Sequence, residues 1–426
     1  ISASEKVAVK EQLLRLVKVA TEGGLPHLVE LTLVLRRVCR FDFPMNWEGL
    51  TRFLVEELQA QRQRGFSESA LALVLVLHQV LKEQSTKRLM SARREFHHVG
   101  HLLVEAVGAV WALKMEHFRQ LQRQGSLSDD RFWRLSRHLD GSFLLLLVHG
   151  IAHVHDHPSG PQMIQMVKDQ VEALLAVLQS HSQQLIQCPF FLKNLKSVLK
   201  WWALLFHAHP LAFSAANVNA VLHCSVEVLR TLTGLQVPME MRPWLEGLLR
   251  SQLLMLSHGF NTVTFRKGPQ ASHQGNALEA ARICHKQFGE FLASHSVADL
   301  CELASRASLR LPQEEVQEWL LEPEDQLLGP QCQTELHQGG EACIKALGQA
   351  PLDQPLVEHI AKRMQEEIAS VPSPNDSYDV VVRKDMLLSL LAFCHSQLKP
   401  HLQFQVMLGF ILPIANLVPQ LQPQAP

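Results

Sequence analysis

Tyrosine occurs once in the 426 residues, at Tyr378, and β-branched residues rarely alternate with polar ones. A half-buried strand needs that period of two, so almost no sheet is expected. The eight cysteines include no CxxC pair, and several sit in apolar helical settings. That usage points to reduced thiols in a cytosolic or nuclear protein. No GxSxG, phosphate-loop or dinucleotide glycine pattern occurs, so neither an enzyme nor a cofactor is expected. No uninterrupted apolar run, FLLLLV from Phe143 included, approaches the roughly 20 residues that span a bilayer, and no signal peptide opens the chain. A soluble protein without membrane contact is therefore expected. Charge of one sign is also lacking, since the net charge is -1. The balance is uneven, however: residues 1–250 carry 28 basic and 22 acidic side chains, whereas residues 301–400 carry 8 and 16. Nucleic acid is a poor partner for such a chain, and a basic protein suits its later part.

What is present is leucine and other helix formers in apolar runs, punctuated at Gly23-Gly24, Pro44, Gly65, Ser85, Gly125, Pro158, Pro189, Pro210, Pro238 and Gly268. In the first hundred residues the breaks fall about 20 apart, one helix per interval, so a helix pair takes about 40 residues, the HEAT-like period. The expected fold is all-α: a superhelical solenoid of HEAT-like antiparallel helix pairs over residues 1–397, monomeric, open, right-handed and elongated. Residues 398–426 form an apolar, Pro/Gln-containing tail, expected to be partly disordered; its last 26 residues carry no charged side chain. Lys87 to Gln124 reads as one long helix, or one kinked at Gly100 or Gly108, with Phe96, Val99, Leu103, Val107, Val110, Trp111 and Phe118 on its buried stripe. Further helices are expected over 132–154, 163–178, 191–207, 215–232, 244–257, 277–293, 356–369 and 380–397. RKGPQASHQGN after Phe265, and Leu327 to Gly340, read as loops.

The stretch RFDFPMNWEGLTRFLVEEL, Arg40 to Leu58, reads as a corner between two helices. Pro44 stops the first helix, which Leu28, Leu31, Leu33, Leu35 and Val38 would pack on more than one side. Asn46 can cap the second, in which Trp47, Leu50, Phe53, Leu54 and Leu58 share a buried face.

Candidate chemistry is sparse. HGIAHVHDHP puts His149 and His153 four apart, the spacing of a helical metal pair, followed by His155, Asp156 and His157; the HExxH glutamate is absent, and no metal site is expected. Cys224 and Cys284 have His223 and His285 beside them in sequence, which does not make a nucleophile without spatial pairing. Lys87, Arg88, Arg93 and Arg94 read as a solvated first turn of the long helix in preference to a localisation signal. In PQEEVQEWLLEPEDQLL, Pro312 can start a helix that buries Val316, Trp319 and Leu320. Glu314, Glu315, Glu318, Glu322, Glu324 and Asp325 then form an acidic candidate surface for a basic partner.

DFPMNWEGL resembles the D-x-P-x-x-W-P-x-L corner of importin-β-type nuclear transport receptors, the karyopherins, with Asp42, Pro44, Trp47 and Leu50 in place and Glu48 where the second proline stands. SALALVLVLHQVLKEQSTKRLMSARREF resembles the next repeat in the importin-eleven branch, through Lys87, Arg88, Leu89, Arg93 and Phe96. LLFHAHPLAF and EEVQEWLLEPEDQL, the latter through Glu315, Trp319, Glu322 and Pro323, are similar to later points of the same receptors, in the same order. The resemblance implies a HEAT superhelix, incomplete at both ends relative to the family, that binds Ran-GTP, protein cargo and the phenylalanine-glycine repeats of nucleoporins. It implies shuttling between cytoplasm and nucleus. Opening on Ile1 instead of methionine agrees with residues upstream. The rival is a HEAT-repeat interaction scaffold with no transport role; an armadillo adaptor is disfavoured because no tryptophan is followed four residues later by asparagine.

Overall fold

The computed structural model describes residues 2–23, 28–65, 70–87, 89–127, 129–185, 188–235, 237–308, 335–349 and 352–368, with short pieces between 386 and 394. Among the described residues every regular element is helical, as the missing period-two pattern predicts. The chain falls into two units, Ile1–Ala216 and Asn217–Pro426.

The first unit holds α1 (Ala3–Gly23), α2 (Leu28–Asp42), α3 (Glu48–Arg64), α4 (Ala70–Ser85), α5 (Met90–Gln124), α6 (Asp130–Leu145), α7 (Gly160–Leu185) and α8 (Pro189–Ala208). The even-numbered helices pack side by side, α2 on α4, α4 on α6 and α6 on α8, while α3 lies beside α5 in a second layer. Sequential helices also touch, so each pair bridges the two layers, which is the repeat expected from the spacing of the breakers. Local chemistry sets the ends. α5 stops at Gly125, left-handed at φ 67; its N–H donates to the Gln122 carbonyl and that of Ser126 to Leu121, a Schellman arrangement. α6 starts at Asp129, whose carboxylate accepts from the Arg131 N–H at 3.0 Å.

α5 is one unbroken helix of 35 residues. Its seven predicted stripe residues are all buried. Of the two readings the single long helix holds, and Gly100 marks a crossing: a Cβ there would strike the carbonyl oxygen of Gly150, so α5 and the chain after α6 meet backbone to backbone. α6 accordingly does not run on to Val154. It passes at Leu146–Gly150 into a π turn, then extended backbone at Ile151, then a single 3-10 turn at Val154–Asp156. A buried carboxylate joins three helices here. Asp140 accepts from Lys114 Nζ at 2.6 Å, Trp111 Nε1 at 2.8 Å and Asn194 Nδ2 at 3.1 Å. Burial lowers the Lys114 pKa, and Asp140 opposes that shift.

The second unit contains α9 (Val218–Thr233), α10 (Arg242–Asn261), α11 (Val263–Lys267), α12 (Asn276–Ser294), α13 (Val297–Ser308), α14 (Glu335–Leu347) and α15 (Asp353–Ile368). α9 packs on α10 and α12, α10 on α14, and α13 on α14 and α15. The loop expected after Phe265 is present from Gly268 to Gly275. The second expected loop is corrected where it is described, because Glu335 to Gly340 open α14. Gly339 and Gly340 there are contact points: a Cβ on Gly339 would lie 3.2 Å from Arg250 Cγ, and one on Gly340 would collide with the Ser308 side chain. Most of the helix expected over 380–397, and the whole tail from 398, lie outside the described residues.

Candidate docking groove

The corner from Asp42 to Trp47 organises one end of the first unit. α2 buries Thr32, Leu35 and Cys39, whereas Leu33 and Val34 are exposed, so this helix packs on one side only. Phe43 and Pro44 are buried and joined by a cis peptide bond. Trp47 is itself the residue before α3, without a side-chain cap, so the expected Asn46 cap does not form. Other elements supply the missing donors. Lys10 Nζ donates to the Asn46 carbonyl at 2.8 Å and pairs with Asp42 at 2.8 Å; Lys87 Nζ donates to the Phe43 carbonyl at 2.7 Å, and Gln84 Nε2 to that of Cys39 at 3.2 Å. The carbonyls freed where α2 ends are thus satisfied from α1, α4 and the turn that follows α4. Burial pushes the Cys39 thiol up to about 12 and lowers the Lys87 ammonium, which Glu95, Cys39 and Glu83 partly restore. The Trp47 ring is 5 % exposed, as the corner predicts, with the Lys10 ammonium 5.8 Å from its centroid; Phe53 is only half-buried.

Beyond this corner α3 and α5 enclose an open groove of about 870 Å³. Thr51, Arg52 and Val55 line it from α3, and His98, Val99 and Leu102 from α5, with Pro44 and Met45 closing one end. Each helix presents residues three and four apart, a single stripe. The rim mixes signs, Glu48, Glu56 and Glu95 against Arg52 and Arg94. Met45 is 65% exposed and Leu102 54%. Large apolar side chains exposed within a concave, charge-rimmed surface are the usual mark of a contact site for another apolar group. Sequence reading missed this groove; its one signal was Met45 and Leu102 at positions outside the buried stripes.

The other candidates are scattered. His149 lies in the π turn with its ring 6.1 Å from Trp201, His153 has extended backbone, and His157 stacks on His101 at 5.1 Å. The presumed helical pair of His149 and His153 is therefore undone by the end of α6, and among the described residues no three His, Cys, Asp or Glu side chains converge as metal ligands. Cys284 is buried, while His285 Nδ1 meets the Phe265 carbonyl at 2.6 Å; His223 Nδ1 meets His295 Nε2 at 2.9 Å. Lys87 is engaged in the corner and Arg94 lines the groove, so the basic cluster is more than a solvated turn. The acidic candidates Glu314, Glu315, Glu318, Glu322, Glu324 and Asp325 lie outside the described residues.

No family model matches the chain. Among curated proteins it is 23% identical over 157 residues to the importin beta-like protein kap113 of Schizosaccharomyces pombe, covering 35% of this chain and 16% of that protein. Among solved structures it is similar to Lph2, described as a novel bidirectional nuclear transport receptor in S. cerevisiae. That likeness has a TM-score of 0.72 at 15% identity over 98% of this chain and 40% of the other. The chain thus spans less than half the length of either relative. It is similar over about a third of its own length to an importin beta-like protein, and it shares the all-α helical-repeat solenoid fold of the matched structure over nearly all of its length.

Proposed function

We propose that the chain is part of a nuclear transport receptor that carries protein cargo through nuclear pores under the control of Ran-GTP, shuttling between cytoplasm and nucleus. We propose further that the α3–α5 groove takes phenylalanine side chains of nucleoporin repeats. The groove carries this reading. A phenylalanine-glycine segment offers one isolated apolar ring, and Met45, Val55, Val99 and Leu102 offer an apolar floor between two parallel stripes. Contacts of this size are weak singly and gain strength by repetition, which suits passage through a crowd of repeats. Release of cargo in such a receptor needs only that Ran-GTP and cargo favour different curvatures of one array. The acidic segment from Glu314 to Asp325 enters as a proposed contact for a basic partner, Ran or a basic cargo.

The test is binding of an immobilised phenylalanine-glycine repeat peptide to the whole chain and to Leu102→Asp. Leu102 is largely exposed, so the variant should keep its fold by circular dichroism while losing peptide binding. A parallel pull-down compares Ran loaded with GTP and with GDP. A chain that binds neither the repeats nor Ran-GTP, alone or extended at its amino terminus, is an interaction scaffold instead.

A further inference from the structure

Most exposed positions of α4, α6 and α8 are basic. Arg134 and Arg137 are exposed one turn apart on α6, Lys193 and Lys200 two turns apart on α8, and Lys82 on α4. These side chains share one surface. The Arg134 guanidinium and the Lys193 ammonium both lie over the Phe190 ring, 5.3 and 5.4 Å from its centroid. His78 of α4 and His138 of α6 have their rings 5.4 Å apart. Burial, followed by the charges of His138, Lys82 and Arg137, holds His78 down to about 3; burial, then Arg137 and Arg134, holds His138 to about 4. Two imidazoles therefore stay neutral beneath a set of cations.

Carboxylates are few on this surface among the described residues: the exposed ones on these three helices, or capping them, are Asp129 and Asp130 at the start of α6, at the Phe190 edge of the patch. α8 contains none. On α6, Asp129 caps the helix, Asp130 accepts from the Cys188 thiol, and Asp140 is buried on Lys114. On α4, Glu83 is buried and held by Arg36 and Arg40. Among the described residues none of Lys82, Arg134, Arg137, Lys193 and Lys200 forms an ion pair, and like charges gathered in this way repel one another, so folding alone does not account for them.

We propose that the α4–α6–α8 face is a docking surface for an acidic protein segment, rich in Asp and Glu. Charge complementarity fixes the sign of the partner. Protein is favoured over nucleic acid because the cations form a local patch on a chain of net charge -1, whereas nucleic-acid binders carry a strongly basic domain. Phe190, the ring between Arg134 and Lys193, is already covered by these two cations and is not free to stack a base. Such docking is independent of transport: the face would hold an acidic segment whether that segment is carried or merely retained.

The test uses the whole chain and fluorescence anisotropy with three labelled probes: a Glu-rich peptide, a Gln-rich peptide of the same length, and a single-stranded RNA of the same charge. The Glu-rich peptide should bind, the Gln-rich one should not, and added salt should weaken the complex. The triple variant Arg134→Glu, Arg137→Glu, Lys193→Glu should weaken binding about tenfold or more. The matched variant Arg282→Glu, Lys286→Glu, Lys362→Glu, equal in charge change and placed in the second unit, should stay within about twofold of the parent. Circular dichroism checks the fold, and the milder set Arg134→Gln, Arg137→Gln, Lys193→Gln carries the same comparison if reversal loosens it. Absence of peptide binding, equal weakening by both variants, or no weakening by the first overturns the proposal. RNA binding that is tighter than the peptide's and lost in the same variant makes the face a nucleic-acid surface, which also overturns it.

Discussion

Gly100→Ala sets two terms of opposite sign against each other. Alanine is favoured over glycine inside a helix by about 1 kcal/mol. At this position, however, the added Cβ would run into the Gly150 carbonyl oxygen and come within 2.6 Å of the carbonyl carbon and 2.8 Å of the Cα. All three are backbone atoms, so no rotamer change removes the clash. Relief requires α5 and the π turn to separate by on the order of 1 Å at a crossing walled by buried Phe96 and Leu146, and overpacking of that kind costs about 1–3 kcal/mol, the upper end applying to a backbone contact. A net loss of about 1–2 kcal/mol follows. Gly108, two turns further along the same helix, is the control. Its Cβ would meet only the edge of the Phe143 ring, at 3.4 Å, so Gly108→Ala should be neutral or stabilising by up to about 1 kcal/mol. Urea unfolding followed by far-ultraviolet circular dichroism measures both variants. If Gly100→Ala is as stable as the parent or more so, the close crossing is refuted, and the glycine is merely a poor helix former.

Acidification should destabilise the chain. Burial holds His78, His138 and His209 at about 3, 4 and 4, against 6.5 when unfolded, so below pH 6.5 the unfolded chain takes protons the folded one refuses, and stability falls by up to about 1.4 kcal/mol per pH unit per histidine. His78→Gln should flatten that slope by nearly one proton, and an unchanged slope between pH 7 and 5 would show that His78 titrates normally. Trp47→Ala removes a buried ring at the corner and should cost about 3–5 kcal/mol, read as a lowered melting temperature; an unaltered melt would place the ring on a surface. Gln61 is buried with both side-chain polar atoms unpartnered, so Gln61→Leu should raise the urea midpoint by the equivalent of about 1 kcal/mol, and a lower midpoint would reveal a bonded amide.

The long-range contacts explain where sequence reading stopped. The stripe of α5, from Phe96 to Phe118, was legible because a period of 3.6 is written locally and the helix keeps it for 35 residues. The stop at Pro44 and the burial of Trp47 were legible for the same reason. The donors that complete the corner were not, since Lys10, Gln84 and Lys87 reach it from 36 to 45 residues away. Gly100, Gly339 and Gly340 were read as a kink or a turn. Glycine serves both flexible backbone and close approach, and what separates the two uses is a remote partner: Gly150, Arg250 or Ser308. His149 and His153 were paired by a helical spacing that holds only if the helix continues, and the approach of Gly150 to α5 is what ends it. The exposed Leu33 and Val34 show the converse, because apolar character alone does not reveal which faces of a repeat are covered.

The two surfaces of the first unit follow from its layering. In a row of helix pairs the alternate helices belong to different layers, so the exposed positions of α3 and α5 lie on a different surface from those of α4, α6 and α8. The apolar groove belongs to the first set, and the cations from Lys82 to Lys200 to the second. Between them lies the buried junction of Asp140, Lys114, Trp111 and Asn194, which ties α5 to α6 and α8 without exposing a polar group to either surface. A ligand on one surface therefore does not touch the residues that would hold a ligand on the other, and the energies of Leu102→Asp and Arg134→Glu should add. Any coupling between the two occupants has to pass through the packing of the layers, as a change in how neighbouring pairs are set against each other. The Gly100–Gly150 crossing resists such a change, because the two backbones meet there with no side chain between them to repack.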